Sequence, residues 1–460
     1  MSAPARNSFI ERTLSHLRLN KLQKVWRDQS SSDLKMSELK LNPDLEESDT
    51  LPLMQWMDAC LINDGDEVTA RSRAVILGRS YLELNQQGRI RFLILLAERY
   101  DVNREEVEQS FQRWYHAAED QRASTGMALR EALDPPRMQL LTQFNGLPEG
   151  VKFLVDMRAE LLQLKKTYPQ LAALEADLKR LLISWFDIGL LQLEQISWQS
   201  SAGLLEKLIA YEAVHAIQSW DDLKNRLDSD RRCFAFFHPN MPDEPLIFVE
   251  VALVQGLADN VQALLDENAP IQDIHHADTA IFYSISNAQK GLAGISFGNF
   301  LIKRVVARLQ QDYPQLENFS TLSPVPGFCR WLSGLNDSQL KQIPGGRYWS
   351  HLPEPRICDE HLNQPDSKEA LLKLACHYLN NEKGRGHFSK DPVSHFHLSN
   401  GAQIAQLNWM ADSSEKGIQQ SAGIMVNYLY QLPHIESRSQ DYTLQGKVAQ
   451  SSALKHLLKD

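Results

Sequence analysis

Residues 279–306 read TAIFYSISNAQKGLAGISFGNFLIKRVV. The opening TAIFYSI is rich in β-branched and aromatic residues, the composition of a buried strand. Gly291, Gly294 and Gly298 then cluster in the middle. From Phe300 onward FLIKRVVARLQQDY repeats its apolar residues at helical spacing. A strand, a glycine-bearing turn and an amphipathic helix in succession place a βα unit here. Glycines at such a turn let backbone N–H groups approach an anion closely, and the helix start behind them adds unpaired donors. Lys303 and Arg304 follow on the first turn of the helix and can meet further phosphate oxygens. The spacing is neither a Walker A loop nor a GxGxxG fingerprint. Packing glycines in an ordinary turn are the competing reading.

Outward from this stretch the chain has two characters. Before residue 190 the periodic segments are helical. Leu154, Met157, Leu161, Leu164 and Tyr168 form one stripe, and Leu171, Leu174, Leu178, Leu181 and Trp185 form another beyond Pro169. Further amphipathic stretches fall near 9–27, 89–99 and 104–118, Asp-Pro-Pro at 134–136 separates helices, and residues 28–50 read as a polar loop. After residue 190 short strands appear at 233–237, 245–254, 279–285, 318–323, 404–409 and 424–430, with helices at 300–313 and 368–380. The expected class is therefore α+β, with an all-helical domain over 1–190 and an α/β catalytic domain over 191–460.

The 460 residues carry a net charge of −10, which gives no general attraction to nucleic acid. No apolar run approaches the length that spans a bilayer. Ile10, Leu14 and Leu17 fit one face of an ordinary helix better than a transit peptide, and there is no secretory h-region. Cys60, Cys233, Cys329, Cys358 and Cys376 are scattered without a CxxC pair, which suits a reducing cytoplasm. The adjacent histidines of DIHHAD at 273–278 make a poor metal pair. Glu212 and His215 in YEAVH share a helical face if that segment is helical. Asn408, Trp409 and Asp412 read as packing and turn residues.

Two further stretches draw attention. FSTLSPVPGF at 319–328 sets Ser323 where an apolar run meets a Pro-rich turn, and DPVSHFHLSNGAQIAQLNWMAD at 391–412 sets His395 and His397 in a strand-like segment before Asn-Gly. A lone serine before proline is usually a turn residue, and a lone histidine on a strand is usually structural.

Taken with residues 282–306, with GIMVNYLY at 423–430, with YEAVHAIQSWDDLKNRLDSDRRCFAFFHP at 211–239 and with GVKFLVDMRAELL at 150–162, these stretches have the order and spacing of malonyl-CoA decarboxylases. The chain resembles that family over roughly residues 80–430. The resemblance implies a GNAT-like catalytic domain, in which a strand, glycine turn and helix grip a pyrophosphate. It implies a homo-oligomer, dimer or tetramer, with the helical domain in subunit contacts. It implies decarboxylation of malonyl-CoA to acetyl-CoA and carbon dioxide. By the same resemblance the serine of the LSP motif is Ser323, the histidine of FHL is His397, and the second tyrosine of NYxY is Tyr430. The CoA loop becomes Gly291, Gly294 and Gly298. Two departures stand out: Ser296 replaces an acidic residue common two places after Gly294, and His395 precedes FHL.

Decarboxylation leaves an enolate on the thioester. It calls for donors to the thioester oxygen, a carboxylate held out of the carbonyl plane and a proton for Cα. The thioester is its own electron sink, so neither a metal nor an organic cofactor is expected. Ser323 suits the hydrogen-bonding role, protonated His397 the carboxylate and the proton, and Tyr430 a further hydrogen bond. Ser323 lacks a GxSxG elbow and is not assigned as a nucleophile. A CoA-dependent acyltransferase and a non-catalytic acyl-CoA sensor are the alternatives that share this fold.

Overall fold

The computed structural model describes residues 39–62, 67–295, 300–353 and 356–457. Ile10, Leu14, Leu17, Ser296 and Gly298 lie outside them. Two compact units divide the chain: residues 1–191 with 238–244 and 289–296, and the remainder.

In the first unit, helices occupy Glu47–Leu61, Glu67–Glu83, Gln86–Arg99, Arg104–Tyr115, Arg122–Ala132, Pro136–Gln143, Gly150–Leu164 and Ala172–Trp185. Their starts are legible. Asn85 and Asn103 accept backbone N–H bonds as N-caps, and Pro136 takes the first turn of its helix, where its missing N–H costs nothing. Glu46 and Asp49 form a capping box, so a helix begins at Glu47, inside the stretch expected to be a loop as far as residue 50. The two long stripes become the Gly150–Leu164 and Ala172–Trp185 helices, and Leu154, Leu161, Leu174 and Leu178 are fully buried.

A buried charge also sits in this unit. Arg158, 1% exposed, pairs with Glu175 at 2.9 Å and donates to the carbonyls of Gly291 and Ala293. Lys165 also bonds Glu175. A buried guanidinium is tolerated only when its donors are satisfied in this way. Gly291 is buried, and a Cβ there would overlap the carbonyl of Val155. Gly294 is exposed with a left-handed φ of 71°.

Among the described residues of the second unit, eight strands make one mixed sheet in the order β1-β2-β3-β4-β5-β8-β6, with β7 on β8. They span Gln192–Ile196 (β1), Arg231–Phe237 (β2), Ile247–Val254 (β3), Thr279–Asn287 (β4), Asn318–Thr321 (β5), Ser323–Pro324 (β6), Gln403–Asn408 (β7) and Met425–Tyr430 (β8). Only β4 and β5 are parallel, with Phe282 opposite Thr321. A parallel pair needs a crossover, and the Phe300–Asp312 helix supplies it, with Val305, Val306 and Leu309 buried. On that helix Arg304 lies over the Phe236 ring at 5.8 Å. On the sheet, Cys233, Ala235, Phe237 and Phe248 pack with Leu205, Leu208 and Leu223. A helical region followed by a mixed-sheet domain is the expected architecture.

Two local readings are corrected. The Asp391–Ser399 stretch is not a strand: Pro392–Ser399 is an α-helix. Glu212 and His215 do not share a helical face, because the Ala202–Tyr211 helix ends before them. The Glu212 carboxylate instead accepts from the amides of Val214 and His215 and from the hydroxyls of Ser284 and Ser286.

Gly291→Ala is expected to destabilise the protein by about 1–3 kcal/mol, the range for overpacking a close backbone contact. Denaturant unfolding monitors this, and an unchanged midpoint would show that the Val155 contact is not as described.

Candidate active site

The site is assembled where the sheet ladder breaks. β5 pairs β8 through Phe319–Tyr430 and Ser320–Leu429, and β6 resumes at Ser323–Val426. Between them side chains substitute for the missing backbone partners. Thr321 Oγ1 accepts from the amide of Tyr428 at 3.2 Å, and Asn427 Nδ2 donates to the Thr321 carbonyl at 2.9 Å. Asn408 holds the other end of the Asn427 amide at 2.7 Å. Ser323 therefore emerges from a short strand whose neighbours are pinned, not from a free turn.

His397 arrives on the Pro392–Ser399 helix. Asp391 is its N-cap: one carboxylate oxygen accepts from Val393 and Ser394 amides at 3.0 Å each, and the other accepts from the Gly327 amide at 3.2 Å. Gly327 lies four residues beyond Ser323, so one buried carboxylate ties the histidine's helix to the serine's loop. Burial pushes the Asp391 carboxyl above its usual range, against three amide donors that favour the charged form. The helix ends at Asn400, and Gly401 follows at a left-handed φ of 81°. Two elements of that segment were visible in the sequence as a helix signature, Asp-Pro at the start and Asn-Gly at the end. The alternating His-Phe-His-Leu between them reads as a strand.

Ser323, His397 and Tyr430 come together. Ser323 Oγ lies 3.2 Å from His397 Nε2, and His397 Nδ1 lies 2.8 Å from the Tyr430 hydroxyl. Ser323 also donates to Thr321 Oγ1 at 2.9 Å. The imidazole stacks on Tyr428 with ring centroids 4.5 Å apart. His397 and Tyr430 are each 2% exposed and Ser323 7%. Burial lowers the His397 pKa to about 3, so the ring is neutral in the unliganded protein at neutral pH. Burial likewise raises Tyr430 well above the usual phenol range.

The other candidates are placed as follows. His395 is only partly buried and its Nδ1 meets the Tyr442 hydroxyl at 3.0 Å, apart from the Ser323 cluster. Lys303 and Arg304 are partly buried on the crossover helix. Gly291 and Gly294 belong to the other unit. Asp412 accepts from the Ser414 amide and from Gln262. His276 is exposed and meets Asp273 at 3.5 Å, and among the described residues no three His, Cys, Asp or Glu side chains gather as a metal-binding group. Thr321 and Asp391 escaped the sequence reading. Asp391 was signalled by the N-cap pattern, whereas nothing in one sequence marks Thr321.

His397 carries a pH prediction. Its folded pKa is depressed below the ordinary 6.5, so the unfolded state binds more protons between about pH 3 and pH 6.5. The resulting stability is present above pH 6.5 and is lost as pH falls, at up to about 1.4 kcal/mol per pH unit. Unfolding curves across that range should be less steeply pH-dependent for His397→Asn than for wild type. Equal slopes would contradict the buried neutral ring. Asp391→Ala should cost about 2 kcal/mol or more, from the lost cap and an orphaned Gly327 amide, in the same assay.

A family model described as the malonyl-CoA decarboxylase C-terminal domain matches residues 189–460, and one for the N-terminal domain matches 100–186. Among curated relatives, the mitochondrial malonyl-CoA decarboxylase of Anser anser anser is 40% identical over 67% of this chain and 66% of its own length. That of Mus musculus is 39% identical over 68% of this chain and 69% of its own. The crystal structure of malonyl-CoA decarboxylase from Rhodopseudomonas palustris aligns with TM-score 0.79 and 37% identity, covering 88% of this chain and 99% of that one. The Agrobacterium vitis structure aligns with TM-score 0.79 and 37% identity, covering 89% and 100%. With both family models matched, and with Ser323 and Tyr430 each in contact with His397, the chain belongs to the malonyl-CoA decarboxylase family.

Proposed function

We propose that Ser323, His397 and Tyr430 carry the family's reaction in this chain, the conversion of malonyl-CoA to acetyl-CoA and carbon dioxide. The observation that carries the assignment is the unbroken contact from Ser323 Oγ through both ring nitrogens of His397 to the Tyr430 hydroxyl, buried and drawn from three distant segments.

The neutral ring of the free protein requires proton uptake with substrate. A malonyl carboxylate beside His397 favours the imidazolium, as does the C-terminal turn of the helix that carries it. The imidazolium then holds the carboxylate through Nε2–H, with Nδ1–H on the Tyr430 oxygen. The Cα–carboxylate bond breaks, its electron pair enters the thioester as an enolate, and carbon dioxide departs. Ser323 donates to the oxygen on which charge develops. The imidazolium gives its Nε2 proton to Cα, which leaves a neutral ring protonated at Nδ1; reprotonation at Nε2 with release of the Nδ1 proton restores the free state, so one proton is consumed in each turnover. The thioester serves as electron sink, and no metal or cofactor enters this scheme.

Gly291, Gly294 and Gly298, with Lys303 and Arg304, are assigned the phosphates of CoA. Gly294, exposed and left-handed, supports this, whereas the missing side chain of Gly291 serves the Val155 contact. A homo-oligomer is assigned to the helical region. Phe111, Trp114, Tyr115 and Met127 are exposed on the Arg104–Tyr115 and Arg122–Ala132 helices, an apolar face of the kind subunits cover. All five cysteines are unpaired, which supports a reducing compartment and a cytoplasmic assignment, although the curated relatives are named mitochondrial. No helix among the described residues is long and apolar enough to cross a membrane. Nothing in the comparisons favours the acyltransferase or sensor alternatives.

Carbon dioxide release from malonyl-CoA tests the assignment. Loss of the proton donor in His397→Asn should lower kcat about 10²–10⁴-fold, and Ser323→Ala about 10²–10³-fold, with CoA binding retained. Calorimetry with a malonyl-CoA analogue that cannot lose carbon dioxide should show proton uptake near neutrality in wild type and none in His397→Asn. Wild-type turnover in both variants would refute the scheme.

A further inference from the structure

We infer that Thr321 is a positioning residue that holds His397 as the Nε2–H tautomer, so that the Ser323–His397 pair donates hydrogen bonds and the serine is not primed as a nucleophile. The inference rests on the roles assigned above to those two residues.

Ser323 has one hydroxyl hydrogen and two candidate acceptors, Thr321 Oγ1 at 2.9 Å and His397 Nε2 at 3.2 Å. The geometry makes Ser323 the donor to Thr321. With its hydrogen spent there, Ser323 Oγ can meet Nε2 only as an acceptor, which requires a proton on Nε2. A neutral imidazole has a single N–H, so Nδ1 is then the acceptor and the Tyr430 hydroxyl donates to it. The chain of donors runs Tyr430, His397, Ser323, Thr321 in one direction. A serine whose proton points into a neutral imidazole nitrogen is the arrangement of serine hydrolases, and here the proton points the other way.

Thr321 is well placed to impose this. It is fully buried, and it is fixed by two bonds independent of Ser323: its Oγ1 takes the Tyr428 amide and its carbonyl takes Asn427 Nδ2. Tyr428 in turn is the residue whose ring stacks on His397. The threonine hydroxyl thus joins the break between β5 and β6 to the serine's hydrogen, with its rotamer set by the sheet and not by the substrate. When substrate arrives and the ring takes up its second proton at Nδ1, Nε2–H already points toward Ser323 and the reacting groups, and the Ser323 hydroxyl turns its hydrogen from Thr321 to the substrate oxygen.

Long-range ¹H–¹⁵N correlation spectra of the unliganded full chain read the tautomer directly, with His397 assigned by the signal lost in His397→Asn. Wild type should show a protonated Nε2 and an unprotonated Nδ1; the reverse would overturn the inference whatever the kinetics. Because the spectrum needs no turnover, its failure is separable from failure of the decarboxylation roles. Thr321→Val should invert the tautomer and lower kcat about tenfold to a hundredfold with KM little changed. Thr321→Ser, which restores the acceptor, should recover the wild-type tautomer and most of the turnover. An unchanged tautomer in Thr321→Val, or equal losses in the valine and serine variants, would reduce Thr321 to a packing residue. If the valine variant does not fold, the wild-type and Thr321→Ser spectra decide the matter.

Discussion

One buried carboxylate organises the part of the second unit where Ser323 and His397 meet. Asp391 starts the helix that carries His397 and, with its other oxygen, holds the amide of Gly327 in the loop that follows Ser323. A helix N-terminus leaves several backbone donors without partners, and burying them unpaired is costly. Asp391 satisfies two of them and spends its remaining oxygen across the fold. The helix and the loop are therefore fixed relative to each other by a charge-assisted set of bonds, and the 3.2 Å contact between Ser323 and His397 inherits that precision.

The sheet makes the second contribution. The ladder on β8 lapses between Ser320 and Ser323, and Thr321 Oγ1, Asn427 and Asn408 take over the hydrogen bonding that the backbone gives up there. A break in a buried sheet survives only if its polar groups find partners. The Thr321 hydroxyl that takes the Tyr428 amide also accepts from Ser323, so the side chains that stabilise the gap are the ones that orient the serine hydroxyl. Burial adds the electrostatic consequence that the His397 ring is held neutral in the unliganded protein.

Much of this was legible in the sequence, though unevenly. The leucine stripes at 154–164 and 171–185 announced themselves because a single burial face imposes a strict period, and the strands at 231–237, 247–254 and 279–287, buried on both faces, did so as short continuous runs of apolar and β-branched residues. The 391–399 segment misled, since His-Phe-His-Leu alternates like a strand while its caps, Asp-Pro and Asn-Gly, belong to a helix. With eight helical residues the period is too short to outweigh alternation, and the caps were the better guide. Glu212 and His215 misled similarly, because a helical pattern runs past the residue where the helix stops and the carboxylate turns to the Ser284 and Ser286 hydroxyls.

By itself the sequence determined the order of the elements and the helical region followed by the mixed sheet, and it singled out Ser323, His397 and Tyr430 as candidates through motifs shared with a family. Those are properties of local pattern and of residue order. Only the tertiary structure decided that the three side chains form one hydrogen-bonded run, that His395 does not join it, that Gly291 is occupied with the Val155 backbone, and that Thr321 and Asp391 hold the arrangement. Hydrogen-bond direction and burial depend on atoms brought together across more than seventy residues of chain, and no local spacing encodes them.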